Sequence, residues 1–352
     1  MRWSLARQAW PLVTATLGLP ACVTTRGARL GPSRPLLYDA GADASTDRPA
    51  HVRAASGVVA FGGDLAIIQD DAAFVARLCG NRVNVITLPS DDGGLRLFDD
   101  GRGNKADKLD FEASLVLQGP RAAGGPGADA GAGAPGARLV GFGSGSSPRR
   151  ESLLLIDEAT ERAEVREVPA FYRGLREHPA LEGAQLNLEG SVVVGGAIRL
   201  FQRGNGRIRA GGDPVNATLD VDRASFESWL DRGGDAPLPT AAKRWDLGRE
   251  RGVPYGFTDA TMIGDDIVFV AVAEDSSDAV TDGAVLGVAI GSWRAGELFM
   301  VPLLEADGSP STRKVEGIAP DPRSPGQLVV VTDVDDHERP AELCTLSLTG
   351  FW

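Results

Sequence analysis

A short apolar hairpin preceded by one polar residue occurs five times along this chain, and this repeat constrains the fold more than any other feature. Three copies align almost without gaps: SGVVAFGGDLAIIQDD begins at Ser56, EGSVVVGGAIRLFQRGNG at Glu189 and DATMIGDDIVFVAVAED at Asp259. Their Gly-Gly and Gly-Asp dipeptides lie between two strand-like runs, which is a signal for a tight hairpin. Two longer copies begin at Glu112 and Glu316. Such a repeat indicates a chain built from copies of one supersecondary unit.

The repeats are followed by further strand-like runs, so that most units have four strands, as in a propeller blade. These runs are 73–78 with 81–88, 151–157 with 162–168, 216–222 with 241–247, 284–290 with 298–304, and 341–348 alone. The last unit lacks an outer strand, and the segment 34–38 is similar to one. The sequence therefore predicts an all-β, five-bladed β-propeller with four-stranded blades, in which an N-terminal strand closes the last blade. A six-bladed propeller and a β-sandwich of ordinary hairpins are the alternatives.

The N-terminal residues have the features of an export signal, because Arg2 and Arg7 precede a mostly apolar stretch, Ala9 to Ala21, that is too short to span a membrane. The stretch ends in Leu-Pro-Ala-Cys, a lipoprotein-like motif in which Cys22 would be lipidated after cleavage. Plain secretion or a misassigned start codon would explain the same residues. We therefore expect an exported protein, periplasmic or anchored to the outer membrane as a lipoprotein. Its expected parts are a signal peptide at 1–22, a linker at 23–33, and one propeller domain at 34–352 with a mobile Gly/Ala/Pro insert at 119–137.

Composition excludes some classes of partner. The formal net charge is −12, whereas a protein that binds nucleic acid needs a basic surface. Three histidines without an HExxH pair argue against a zinc hydrolase. Cys79 and Cys344 could pair in an oxidising compartment, but two cysteines make no disulfide framework, and buried thiols are expected. The excess of acidic residues is compatible with a cation site.

In a propeller the first strand of each blade lines the central channel, so the residues that open the repeats form a ring near one face. The predicted metal ligands are the members of this ring: Ser56, Glu112, Glu189, Asp259 and Glu316. Four carboxylates this close together cannot all ionise unaided, so either some are protonated or a cation lies among them. Calcium suits such a ring because it accepts about six to eight hard oxygen ligands in a tolerant geometry. The alternative is a structural ring that hydrogen-bonds to neighbouring backbone.

Charged loops on the same face form a second predicted site. Basic and amide side chains there would bind an anion, most simply a phosphate. These residues are Lys105, Lys108, Arg149, Arg150, Arg203 and Asn205. Asp70, Asp71 or a carboxylate of the ring would act as the general base that orients water. The alternative is that the basic side chains only pair with carboxylates of the ring and rim.

From about residue 34 onward the sequence resembles a bacterial family of uncharacterised β-propeller proteins, on strings such as FDDGRGNKADKLDFEA, GFGSGSSPRRES and KVEGIAPDP. This resemblance implies the fold and no activity. The ring also resembles that of the calcium-activated nucleotidases (apyrases), five-bladed propellers whose axial calcium is held by Ser and Glu residues, one from each blade. Asp259 stands where that family has a short hydroxyl residue, and the nucleotidases' substrate-loop motifs are not evident. Phytase-like propellers, six-bladed and calcium-dependent, are a looser comparison.

Two functions follow as hypotheses. One is a calcium-dependent hydrolase of phosphate esters or anhydrides in the cell envelope. The other is a non-catalytic propeller that binds a small anionic ligand or an envelope protein and uses its cation structurally. In either case we expect a monomer that contacts the membrane only through a lipid anchor at Cys22.

Overall fold

The computed structural model describes residues 26–90, 94–119, 136–205, 214–276, 283–294 and 297–352. Cys22 and most of the 119–137 insert lie outside the described residues. The strands are β1 Gly27–Pro35, β2 Ala55–Phe61, β3 Asp64–Gln69, β4 Phe74–Cys79, β5 Arg82–Thr87, β6 Phe111–Leu117, β7 Arg138–Gly143, β8 Ser152–Asp157, β9 Ala163–Glu167, β10 Leu188–Val194, β11 Ala197–Gln202, β12 Asn216–Asp222, β13 Pro239–Trp245, β14 Arg249–Glu250, β15 Val253–Pro254, β16 Gly256–Ile263, β17 Asp266–Asp275, β18 Ala284–Arg294, β19 Glu297–Leu304, β20 Lys314–Pro320, β21 Leu328–Asp333 and β22 Glu342–Thr349.

Helices are few and short in this all-β fold. They are α1 Pro169–Arg176 and α2 Arg223–Arg232, with 3-10 turns at Lys105–Asp107, Pro148–Arg150 and Pro179–Leu181. In the described part of the chain, no helix has the length and apolar character needed to cross a membrane. Cys79 and Cys344 are both free thiols, and Cys344 is buried.

Four-stranded antiparallel groups are the unit of the fold. Three sheets each contain one group: β2–β5, β6–β9 and β10–β13. An eight-stranded sheet joins two more groups, in the order β16-β17-β18-β19-β1-β22-β21-β20. There β1 pairs antiparallel with β22, from Gly27 opposite Thr349 to Pro35 opposite Glu342, and it also makes a short parallel pairing with β19. The N-terminal strand therefore supplies the fourth strand of the last group.

This closing strand lies earlier in the sequence than we expected. It spans Gly27–Pro35 rather than 34–38, and it includes residues that were expected to form a linker. The cause is burial: Ala28 and Leu30 are each 2 % exposed and pack in the core between the last two groups. Residues 36–38 instead leave the sheet, and the buried side chains of Leu36 and Tyr38 pack in the core shared with the first group, whereas Leu37 is exposed.

The hydrophobic core lies between neighbouring groups. On β3, Ile67 packs in the cluster shared with the last group, while Ala66 and Ile68 pack in the cluster shared with the next one. Because both faces of the strand are buried, it is a continuous apolar run rather than an alternating one. The first strands contact one another in a closed cycle: β2 with β6, β6 with β10, β10 with β16, β16 with β20, and β20 with β2. Four-stranded groups around such a centre form a propeller fold.

Small residues allow the first strands to approach one another closely. A Cβ at Gly317 would lie 2.8 Å from the backbone nitrogen of Val58 and 3.0 Å from the carbonyl carbon of Gly57.

We expect Gly317→Ala to lower the free energy of unfolding by about 1–3 kcal/mol, because backbone of a neighbouring group must move. Gly196→Ala is the matched control, since a Cβ there meets nothing within 4 Å. Chemical denaturation measures both variants, and equal stabilities would contradict the packing argument.

Candidate functional site

The ends of the first strands surround a cavity of about 50 Å³ near one face of the propeller. Among the described residues, seven carboxyl and four basic side chains line it: Asp70, Asp110, Glu112, Glu189, Glu274, Glu316 and Asp333, with Lys108, Arg150, Arg203 and Lys314. If every one of these groups were ionised, together they would carry three more negative than positive charges. Since buried charge must be compensated, this lining favours a bound cation over a bound anion.

A β-bulge at the start of each first strand places the ring residues. The pairing register shifts at Ser56, Glu112, Glu189, Thr258 and Glu316, so each lies outside the regular ladder. A bulged residue is free of the strand's alternation, and its side chain can be aimed away from the core. Ser56 and the three glutamates of this set line the cavity.

In the fourth group the bulge lies one residue before the position that the sequence predicted. Thr258 is the bulged residue, and Asp259 follows it. The Thr258 hydroxyl donates to the carbonyl oxygen of Val315 at 2.8 Å. Ser56 makes the equivalent bond, since its hydroxyl donates to the carbonyl oxygen of Phe111 at 2.5 Å. The five bulged residues, which define the ring, are therefore two hydroxyl residues and three glutamates.

Asp259 has a different position and different partners. Its carboxylate accepts hydrogen bonds from the backbone N–H groups of Ala260 and Ile318, each at 2.8 Å. It thereby links β16 to β20, and it is not among the described residues that line the cavity. An alignment of the repeats that matched the hydroxyl residue Thr258 with Ser56 would have predicted the position of the bulge in the fourth group.

Three carboxylates lie close together on one side of the cavity. Each contributes one carboxylate oxygen to a set whose members lie within 4.8 Å of one another, so the three residues could hold a metal ion: Asp70, Asp110 and Glu112. Asp110 takes this position with a φ of 57°, which is uncommon for a residue other than glycine. The ammonium of Lys108 lies 2.5 Å from Asp70 Oδ2 and 2.6 Å from Asp110 Oδ1, and Arg150 lies 3.0 Å from Asp110 Oδ2. We call Asp70, Asp110 and Glu112 the acidic triad.

Arg203 lies among three other carboxylates, which belong to the third, fourth and fifth groups of strands. Its guanidinium is 3.3 Å from Glu189 Oε1, 2.5 Å from Glu274 Oε2 and 3.8 Å from Glu316 Oε1, and all four side chains are 4–5 % exposed. At 3.8 Å the contact to Glu316 is an ion pair without a hydrogen bond. Both carboxylate oxygens of Glu316 are buried and have no hydrogen-bond partner among the described residues. Leaving a buried acceptor unsatisfied is costly, so Glu316 has capacity for a ligand.

Burial raises the pKa of the ring carboxyls. The pKa values of Glu112 and Glu316 lie well above the usual range because both groups are buried near other carboxylates. Burial also raises the pKa of Glu189 to about 7, although Arg203 opposes this shift. The pKa of Asp333 is raised to about 7 for the same reason. Each of these groups therefore keeps its proton to a higher pH than an exposed carboxyl group does.

Four of the six predicted anion-binding residues line the cavity: Lys108, Arg150, Arg203 and Asn205. Each of the three basic side chains among them is ion-paired with a carboxylate of the lining. Asn205 accepts a hydrogen bond from the side-chain amide of Asn187 at 3.1 Å. Lys105 and Arg149 lie farther out, each with its side chain 32 % exposed.

An open cleft of about 250 Å³ adjoins the cavity, and Asp70, Lys108 and Asp333 line both spaces. Asp71, the second predicted general base, lies in this cleft rather than in the cavity. It pairs with Arg53 at 2.6 Å, yet burial raises the pKa of Asp71 to about 7. The two predicted bases are therefore placed differently, with Asp70 at the junction of the two spaces.

Comparison with known proteins adds a family but no activity. No curated protein matches the chain. A glycosyl hydrolase from Bacteroides ovatus is similar at 8% identity, with 84% of each chain covered and a TM-score of 0.42. An alpha-L-arabinanase from Penicillium chrysogenum has 8% identity, covers 92% of this chain and 94% of its own, and gives a TM-score of 0.40. The PQQ domain of a pyranose dehydrogenase from Coprinopsis cinerea has 11% identity, with 94% and 99% covered and a TM-score of 0.39.

Similarities this weak support no inference about what the chain binds or transforms. The family match is of a different kind, because it covers most of the chain, from residue 51 to residue 348. The chain belongs to DUF6929, a family of unknown function.

Proposed function

We propose that the cavity at the centre of the ring binds one divalent cation, calcium by preference, and that the protein is a binding propeller built around this ion. The observation that carries the proposal is Glu316: its carboxylate is 4 % exposed, lines the cavity, and has no hydrogen-bond partner among the described residues. The acidic triad supplies further oxygen ligands in the same cavity. Each of these two features favours a cation in this cavity.

Calcium fits this lining better than magnesium does. Calcium accepts about six to eight oxygen ligands in flexible geometry, whereas magnesium requires near-ideal octahedral geometry and loses its waters reluctantly. A lining of carboxylates in unequal positions suits the more tolerant ion. The cavity volume of about 50 Å³ leaves room for an ion with a few bound waters.

The proposal includes five blades for the complete propeller. Its support is the closed cycle of contacts among β2, β6, β10, β16 and β20, each of which begins a four-stranded group. With Thr258 in the ring, the residue types also agree with those that the nucleotidase resemblance implies. None of the three compared structures, however, is a nucleotidase or a phytase.

A non-catalytic role is favoured because the basic residues in the cavity are already paired. Lys108, Arg150 and Arg203 would have to leave their carboxylates before they could hold a phosphate. We propose that the ligand, a small anionic molecule or an envelope protein, docks on this face through the cation. The proposal further includes an exported monomer, periplasmic or outer-membrane-anchored through a lipid at Cys22.

One observation supports a calcium-dependent phosphohydrolase as the second candidate. Asp71, whose pKa is raised to about 7 by burial, faces the same cleft as Lys105 and Lys108. A carboxyl group with a pKa near the working pH is suited to general base catalysis. In this candidate the cleft would hold the phosphate ester or anhydride beside the axial ion.

Calorimetric titration of the purified protein with calcium tests the proposal. We expect one ion per chain and a higher melting temperature in calcium than in chelator. Asp110→Asn and Glu316→Gln should each weaken binding at least about ten-fold, because each removes a charged ligand. Asp265→Asn is the matched control, since Asp265 is exposed in the turn between β16 and β17, at the other end of these strands.

Absence of binding heat together with an unchanged melting temperature would contradict the cation site. The same samples, incubated with nucleotides and phosphate esters, separate the two candidates. Phosphate release that depends on calcium and is lost in Asp71→Asn would establish the hydrolase. Binding without release would support the binding propeller.

A further inference from the structure

Lys108 lies where a cation bound to the acidic triad would lie. Its ammonium contacts Asp70 Oδ2 at 2.5 Å and Asp110 Oδ1 at 2.6 Å, and its side chain is only 10 % exposed. Both aspartates belong to the triad whose oxygens lie within 4.8 Å of one another. A metal ion bonded to these same oxygens would lie close to the ammonium, so the two positive charges would repel each other and compete for the triad.

The second carboxylate oxygen of Asp110 is also occupied, so an ion cannot bind Asp110 there without displacing a partner. Asp110 Oδ2 accepts from the Ser144 hydroxyl at 2.5 Å and lies 3.0 Å from Arg150. Asp70 is different, because its Oδ1 is buried and has no hydrogen-bond partner among the described residues. An ion could therefore first contact Asp70 Oδ1 and then reach Asp110 only by displacing one of its present partners. Lys108 is the partner most easily displaced, since a lysine makes point contacts on a flexible stem.

A Lys108 side chain displaced from the triad can move into the adjoining cleft. Its side chain lines the adjoining cleft of about 250 Å³ as well as the cavity, and Asp71, Asp99 and Asp100 line that cleft. Rotation about the stem would bring the ammonium from the triad towards these carboxylates, which also pair with Arg53 and Lys105. The positive charge would then lie beside the mouth of the cavity.

We infer that Lys108 is a tethered competitor for the axial cation: it neutralises the triad in the ion-free protein and moves into the adjoining cleft when the ion binds. This inference rests on the proposed cation site. A charge held on the same chain competes at a high effective concentration, so it sets the affinity of the site well below that of the bare carboxylates. Lys108 thus tunes affinity without being a ligand.

Calcium titration of Lys108→Met, Lys108→Arg and Lys314→Met tests the inference. Lys108→Met should bind calcium at least about ten-fold more tightly than wild type, because the competitor is gone. Lys108→Arg retains the charge and should stay within about three-fold of wild type. Lys314 lines the same cavity but pairs with Asp333 and Asp335, so Lys314→Met removes equal charge away from the triad and should gain much less.

The outcomes separate this inference from the proposed function. If wild type binds calcium and Lys108→Met binds no more tightly, or Lys314→Met gains as much, the competitor is refuted and the cation site stands. If only Lys108→Met binds, the competitor is supported and the wild-type site is refuted. If neither protein binds, both proposals fail.

A measurement on the wild-type protein covers the case in which Lys108→Met does not fold. Acylation of lysine amines, read at Lys108 by mass spectrometry, reports how accessible the ammonium is. We expect labelling to be at least about five-fold faster in saturating calcium than in chelator, because an ion-paired buried amine reacts slowly. Equal or slower labelling in a sample that binds calcium would overturn the inference.

Discussion

Replacing Arg203 with methionine is expected to lower the free energy of unfolding by about 3–5 kcal/mol, or to prevent folding, in chelator. The guanidinium is the charge shared by Glu189, Glu274 and Glu316, and all of these side chains are nearly fully buried. Removing one member of a buried ionic group leaves the others uncompensated, which is far more costly than the net contribution of the intact group. Because methionine retains much of the apolar part of the arginine side chain, the loss of stability measures the removal of the charge rather than the removal of volume.

Arg199→Met is the matched control for this prediction. Arg199 pairs with Asp220 at 2.6 Å, but their side chains are 26 % and 18 % exposed. Solvent screens such a pair, so the loss should be about 1 kcal/mol or less. The double variant Arg203→Met, Glu274→Gln should recover part of the stability, as should calcium. Chemical denaturation measures all four proteins, and an Arg203→Met variant as stable as wild type would contradict the account of the cavity.

In chelator, the protein is expected to lose stability as pH rises from about 4.5 to above 7. Burial raises the pKa of Glu189 to about 7 from a usual value of 4.5, and the pKa of Asp333 is also raised to about 7. Between those pH values the folded protein binds more protons than the unfolded chain, so unfolding becomes easier as pH rises. The stabilisation is fully present below pH 4.5 for Glu189, and it is lost as pH passes through 7.

Calcium should reverse this loss, because the ion provides the positive charge that the protons supplied at lower pH. We expect the melting temperature in chelator to fall by roughly 5 °C or more between pH 5 and pH 8, and to change much less in calcium. Thermal denaturation across this range, in matched buffers with chelator or calcium, is the measurement. Identical pH profiles in the two series would mean that the cavity does not exchange protons for calcium.

The repeat made most of the fold predictable, because three of the five copies carry a hairpin signal at a glycine turn such as Gly62-Gly63 or Gly264-Asp265. The outer strands were harder to place. The closing strand β1 has no glycine turn and no hairpin partner nearby in sequence, since its partner β22 lies at the other end of the chain. Its register depends on which residues meet the core of a sheet assembled from distant parts, and local pattern does not contain that information.

The ring was predictable to within one residue and the acidic triad only in part. A bulge shifts the side-chain alternation by one position, so an alignment that matched acid with acid selected Asp259 in place of Thr258. Asp110 was missed, although Lys108, Asp110 and Glu112 alternate along the chain and could have been read as one face. The pairing of each basic side chain with carboxylates depends on three-dimensional distances, and charge composition alone left that open.

The direction of β1 determines how the molecule would be held by its N-terminus. Pro35 pairs with Glu342, at the end of β22 that follows the cavity-side loop after Asp333, whereas Gly27 pairs with Thr349 at the far end. Cys22 precedes Gly27 by five positions, a length of chain that reaches at most about 18 Å. A lipid attached at the proposed site would therefore be tied to the end of β1 that is remote from the cavity-side loops. Anchoring and ligand binding would then involve opposite ends of the same sheet.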